Sequence, residues 1–145
     1  MAKLSNAEIK RATQDFEYFC TLININQRDW KSPPTKAKIL NKPFVLSKTQ
    51  REFIKFIESN TDIVLLKPRQ RGYSTVMQAY CLWRFLFKKA ESIAYFTRHL
   101  DLSRDIVRNI AVLLSVLPPE LKPDIAETAY IGRFINNTFN SKLFI

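Results

Sequence analysis

Apolar residues recur at three- and four-residue intervals in four stretches of the chain, and each stretch predicts an amphipathic helix. Over residues 5–20 the inward positions are Ile9, Ala12, Phe16 and Phe19, with Ser5 or Asn6 available as the cap. A second helix begins at Ser47, where Phe53, Ile54 and Ile57 share a face, and ends near Asn60. The third covers residues 74–89, with Met77, Tyr80, Cys81, Phe85 and either Trp83 or Leu86 turned inward. The fourth runs from about Asp101, a plausible cap, to Leu117, where Pro118 and Pro119 stop it.

Two apolar runs are too short for helices. Ile63-Val64-Leu65-Leu66 predicts a strand buried on both faces, and Ile93-Ala94-Tyr95-Phe96 a second strand. Residues 24–42 are polar, broken at Pro33-Pro34 and without a period, which predicts an exposed loop. Beyond Pro123 the pattern changes to short pieces around Gly132 and Asn136-Asn137, the mark of extended segments and a turn. Strand, helix, strand, helix with short connections is the sequence form of a right-handed parallel crossover. The expected architecture is therefore α/β, with residues 1–46 as an N-terminal helix-and-loop extension and residues 47–145 as the core.

Composition narrows the class. Hydrophobic residues at 46% and charged residues at 25% are the balance of a folded globular chain. Twenty-three Lys and Arg against 13 Asp and Glu give +10, which favours an acidic partner, nucleic acid or nucleotide first. A lysine-rich coding bias would give the same charge. Cys20 and Cys81 lie far apart in apolar surroundings and read as buried thiols of a reducing compartment. The single His99 leaves no His/Cys cluster for zinc. No apolar run approaches the ~20 residues of a membrane span, so a cytosolic protein is expected.

The chemistry concentrates between the first predicted strand and the third helix, in Lys67-Pro68-Arg69-Gln70-Arg71-Gly72-Tyr73-Ser74-Thr75. A phosphate loop belongs at such a junction: backbone N–H groups and a helix N-terminus hold phosphates, a cation neutralises them, and a Ser or Thr hydroxyl binds magnesium. Gly72 permits close backbone approach and Ser74 stands at the magnesium position. The departure from G-x-x-x-x-G-K-[ST] is plain, because Lys67 occupies the first glycine position and Tyr73 the lysine position. Lys67 can still reach the phosphate site from the other end of the loop, with Arg69 and Arg71 adding charge. Read structurally instead, this is a basic strand-to-helix turn with Gly72 set by backbone geometry and Ser74-Thr75 as a cap. Ser47-x-x-Gln50 is likewise a capping box. Arg98, His99, Lys88, Lys89, Arg104 and Arg108 read most simply as exposed positions.

The loop Lys-x-x-x-Arg-Gly-Tyr-Ser-Thr resembles the deviant Walker A of the large terminase subunits of tailed bacteriophages, as does the core Arg69-Gln70-x-Gly72. The blocks around it are similar to that family in the same order over residues 15–124. They are Phe16-Glu17-Tyr18-Phe19, then Pro43-Phe44-Val45-Leu46-Ser47-Lys48-Thr49-Gln50, the 93–96 strand, Asp101-Leu102-Ser103, and Leu114-x-x-Leu117-Pro118-x-x-Leu121-x-Pro123.

The resemblance implies a P-loop NTPase-like sheet of the ASCE type flanked by helices, here incomplete. It also implies ATP and magnesium at Gln50, Lys67, Arg69, Gln70, Arg71, Gly72, Tyr73, Ser74 and Thr75. In it Gln50 reads adenine and Ser74 ligates the metal. The implied partners are double-stranded DNA, the remainder of the terminase on the same or another chain, the portal protein and the small subunit, in an oligomeric motor in the host cytoplasm. No two acidic residues are adjacent, so a Walker B pair is absent, as are the family's coupling motif and nuclease carboxylates. The chain is accordingly expected to bind nucleotide without hydrolysing it alone, and to need a partner or self-association. A truncated chain, a split gene and a residual fragment all fit. A helicase-like ATPase and a basic DNA-binding module without nucleotide function stay open beside the terminase reading.

Overall fold

The computed structural model describes residues 3–28, 39–66, 71–128 and 132–145. Helices and a small mixed sheet make a mixed α/β chain. The first predicted helix is two: α1 (Asn6–Gln14) and α2 (Phe16–Leu22). Ser5 closes a capping box with Glu8 at the start of α1, and Asp15 ends that helix in an extended conformation. The Asp15 carboxylate then caps α2 by accepting the Tyr18 N–H at 3.0 Å. The apolar spacing continues across this break, so periodicity alone cannot reveal it.

The stretch expected as a loop contains β1 (Asn24–Arg28) and β2 (Ile39–Pro43), paired antiparallel with Asn24 opposite Pro43 and Arg28 opposite Ile39. Backbone hydrogen bonds make this ribbon, and polar residues satisfy a ladder as well as apolar ones do. Helix α3 (Lys48–Ser59) starts at the predicted cap Ser47. Helix α4 (Tyr73–Phe87) is the apolar centre of the molecule, burying Val76, Ala79, Tyr80, Leu82, Trp83, Phe85 and Leu86.

The predicted strand at residues 63–66 does not form. Asp62–Leu66 joins no sheet, and Val64 and Leu66 are 95% and 94% exposed. An apolar run signals preference for burial, but a strand exists only where a neighbour accepts its backbone bonds. The predicted parallel crossover from this segment to β3 (Ser92–Ala94) is therefore absent. Helix α5 (Leu100–Val116) follows β3, with His99 rather than Asp101 at the cap and Asp101 in the first turn.

After the 3-10 turn Pro119–Leu121 come β4 (Ile125–Thr128), β5 (Arg133–Asn136) and β6 (Ser141–Phe144). They form one sheet in the order β3-β6-β5-β4. Strands β3 and β6 pair parallel, with Ile93 opposite Leu143; β5 pairs antiparallel with both neighbours. The predicted turn lies between β5 and β6. Asn140 adopts φ +53° there, a left-handed conformation that asparagine tolerates better than most residues.

Two sets of contacts hold the layers together. Phe16 meets the Tyr80 ring edge-on at 5.2 Å and the Trp83 ring at 5.7 Å, while Trp83 Nε1 donates to the buried Ala12 carbonyl at 2.9 Å. These contacts fix α1 and α2 on α4. On the sheet side the fully buried Asn136 donates from Nδ2 to the carbonyls of Phe85 (2.9 Å) and Leu86 (3.1 Å). Its Oδ1 accepts from the N–H groups of Thr138 (3.1 Å) and Phe139 (3.2 Å). One side chain thus satisfies carbonyls left over at the end of α4 and the tight turn after β5. Buried Ser141 adds a bond from its hydroxyl to the Lys88 carbonyl.

Candidate nucleotide site

Helix α4 begins at Gly72, which adopts φ +73° and ψ 6° and supplies no side-chain cap. Its first helical bond runs from the Val76 N–H to the Gly72 carbonyl at 3.0 Å. The N–H groups of Tyr73, Ser74 and Thr75 precede that bond, at the positive end of a fifteen-residue helix. This is the backbone arrangement that favours an anion.

Gln50 holds the approach to that end. Its Oε1 accepts the Ser47 N–H at 2.9 Å and the Gln50 N–H returns to Ser47 Oγ at 3.3 Å, completing the predicted capping box. Its Nε2 donates to the Arg71 carbonyl at 3.0 Å. A Cβ built on Gly72 would come within 3.0 Å of that same Nε2. Gly72 is therefore required twice, by its left-handed backbone and by the amide packed against its α-carbon. The Gln50 side chain is buried, yet among the described residues one N–H and one lone pair of its amide are left beyond these bonds.

Tyr73, at the position where the standard loop carries lysine, packs edge-on against Phe53 of α3, centroids 5.2 Å apart and planes at 88°. Its ring secures α4 to α3, which accounts for an aromatic residue there. Ser74 is exposed on the first turn and Thr75 is half-buried beside it. The Arg71 side chain is exposed while its carbonyl is held. The structure thus brings Gln50, Arg71, Gly72, Tyr73, Ser74 and Thr75 together. Lys67, Arg69 and Gln70 lie outside the described residues.

At the carboxyl end of β3, Thr97 Oγ1 bonds the His99 carbonyl at 3.0 Å and Ser103 Oγ at 2.6 Å, which shapes the start of α5. Arg98 and His99 are exposed, as expected, and Arg98 Nε contacts His99 Nε2 at 3.1 Å. Arg104 and Arg108 pair with Asp101 and Asp105 on the outer face of α5. Lys88 is half-buried rather than freely exposed, its ammonium 4.6 Å from the centre of the Trp83 ring.

Cys20 is buried and Cys81 half-buried, and neither forms a disulfide. Burial pushes both thiols up, Cys81 to about 11, so neither is a ready nucleophile. Glu91 and the Arg84 guanidinium form a forked pair, with Nε 2.8 Å from Oε2, and that bond raises the Arg84 pKa further. Among the described residues no group of three His, Cys, Asp or Glu side chains could hold a metal ion. No helix among them is long and apolar enough to cross a membrane.

Sequence reasoning missed a second polar cluster. Gln78, buried on α4, accepts from Asn109 Nδ2 of α5 at 3.3 Å. The signal was present: Gln78 is a buried amide one turn after Thr75 in an otherwise apolar helix face. Comparison with protein-family models and with curated proteins finds no match for this chain.

Proposed function

We propose that this chain is the nucleotide-binding N-terminal portion of a viral large terminase subunit, an ATP-driven motor for double-stranded DNA in its complete form. The observation that carries the reading is the Gln50–Arg71–Gly72 clasp, which holds a left-handed glycine at the anion-favouring start of α4. In this proposal the phosphates of ATP lie against residues 72–75, with cations from Lys67, Arg69 and Arg71 neutralising them and Gln70 completing the loop. The displaced lysine is consistent with Tyr73, whose ring is committed to Phe53.

Magnesium fits the residues in a limited way. The exposed Ser74 hydroxyl on the first turn is a suitable oxygen ligand, and this ion is usually held by one or two protein oxygens together with substrate phosphates and water. When bound it would neutralise phosphate charge. The adjacent acidic pair that hydrolysis needs is missing from this sequence, so the rest of the terminase, on this or another chain, supplies it. Duplex DNA, portal and small subunit are the proposed partners of the assembled oligomer in the host cytoplasm, and the +10 charge suits a polyanion.

The experiment is magnesium-dependent ATP binding with DNA binding measured beside it. Under this proposal ATP binds, tripolyphosphate competes, and Lys67→Ala weakens both. A basic DNA-binding module predicts instead salt-dependent DNA binding that ignores ATP and Lys67→Ala.

A further inference from the structure

A cavity of about 190 Å³ opens between α4, α5 and β1. Asn24, Thr75, Gln78 and Asn109 form its polar side, and Ile25 and Leu113 belong to its apolar walls. Among the described residues, no charged side chain lines it. A ligand group that fits must be neutral, apolar on its faces and able both to donate and to accept at an edge. The volume is below the ~300–1,000 Å³ of pockets for drug-sized ligands, so it suits a fragment such as a single heterocycle.

The cavity adjoins the candidate phosphate site at Thr75. Thr75 stands in the first turn of α4, where the anion-favouring N–H groups lie, and also lines the cavity; Gln78 follows one turn later on the same helix. Asn109 spends one N–H on Gln78, and among the described residues its other N–H and its carbonyl oxygen have no further partner. A carboxamide with both functions open matches the adjacent donor and acceptor of an adenine edge. Gln50, by contrast, is fastened to Ser47 and Arg71 and is not among the residues that line the cavity.

We infer that this amide-lined cleft receives the adenine base of the bound nucleotide, with Asn109 as its hydrogen-bonding partner and Gln78 holding Asn109 in place. The inference rests on the proposed phosphate site at the start of α4, and it separates base recognition from Gln50, whose task is to fasten the loop.

The test is nuclear magnetic resonance of side-chain and backbone amides of the full 145-residue chain, titrated separately with adenosine and with magnesium tripolyphosphate. Adenosine should shift the Asn109 and Gln78 carboxamides, while tripolyphosphate shifts the backbone amides of residues 72–75. Asn109 is exposed, so Asn109→Leu should fold. That variant should weaken ATP about tenfold and leave tripolyphosphate unchanged, the effect of one ligand hydrogen bond. If tripolyphosphate binds but adenosine moves Gln50 and not Asn109 or Gln78, the base site is wrong and the phosphate site stands. If adenosine moves Asn109 and Gln78 while tripolyphosphate has no effect, the cleft stands as a base site and the phosphate reading falls. Silence from both ligands overturns both.

Discussion

The Gln50 carboxamide donates to the Arg71 carbonyl at 3.0 Å, so the start of one helix fixes the peptide that leads into the next. The same carboxamide accepts the Ser47 N–H, which makes its orientation a choice of both partners. Gln50→Glu keeps the acceptor for Ser47 but replaces the donor facing Arg71 with a carboxylate oxygen. It should loosen residues 71–74 and cost about 1–3 kcal/mol, the usual penalty for an unsatisfied buried group. Gly72→Ala should cost about 1–2 kcal/mol from its left-handed φ alone, before any contact with Gln50. Denaturant titration checks both values, and faster amide exchange at residues 71–74 in Gln50→Glu would localise the first.

Trp83→Phe retains an aromatic ring among Phe16 and Tyr80 but leaves the Ala12 carbonyl without its donor. A loss of about 1–3 kcal/mol is expected, with α1 detaching before α4 unfolds. Limited proteolysis would read this as earlier cleavage near residues 12–15 in the variant than in the parent chain.

Asn136→Leu is close to isosteric and yet should be among the most damaging single changes in the sheet. It strips the Phe85 and Leu86 carbonyls and the Thr138 and Phe139 N–H groups of their shared partner. Loss of about 3 kcal/mol or more is expected from several buried groups left unpaired at once. A melting temperature equal to that of the parent would show that water replaces these bonds without cost.

The Cys81 thiol, raised to about 11 by burial, should resist alkylation at pH 8. The sign of the linkage follows from that direction. In the unfolded chain the thiol ionises near 9 and in the folded protein near 11, so its contribution to stability is complete below pH 9 and is lost as pH rises towards 11. Unfolding midpoints measured from pH 8 to 11 should fall, and should fall less in Cys81→Ala.

The sequence shows helices with capping signals better than anything that depends on a distant neighbour. Ser47-x-x-Gln50 defines the start of α3 correctly, and Pro118 marks the end of α5, because each signal acts within one turn. The second function of Gln50 was not legible, since Arg71 approaches it only after α3 and α4 dock through Phe53 and Tyr73. Val64 and Leu66 show the opposite error: their apolar character suggested a buried strand where the structure leaves them exposed. The ribbon of β1 and β2 escaped notice because its residues carry no alternation, and the parallel partner of β3 lies some fifty residues on, in β6. Gly72 stood out from composition, being one of two glycines, and its left-handed conformation at the start of α4 gives that position a physical reason.

The most direct test of the nucleotide reading is equilibrium binding of magnesium ATP to the chain and to its Lys67→Ala and Ser74→Ala variants, compared by calorimetry in one buffer. The account predicts binding by the parent chain, a loss of tenfold or more in Lys67→Ala, and a weakened magnesium dependence in Ser74→Ala. Binding by both variants as tight as the parent's, with the same response to magnesium, would contradict it.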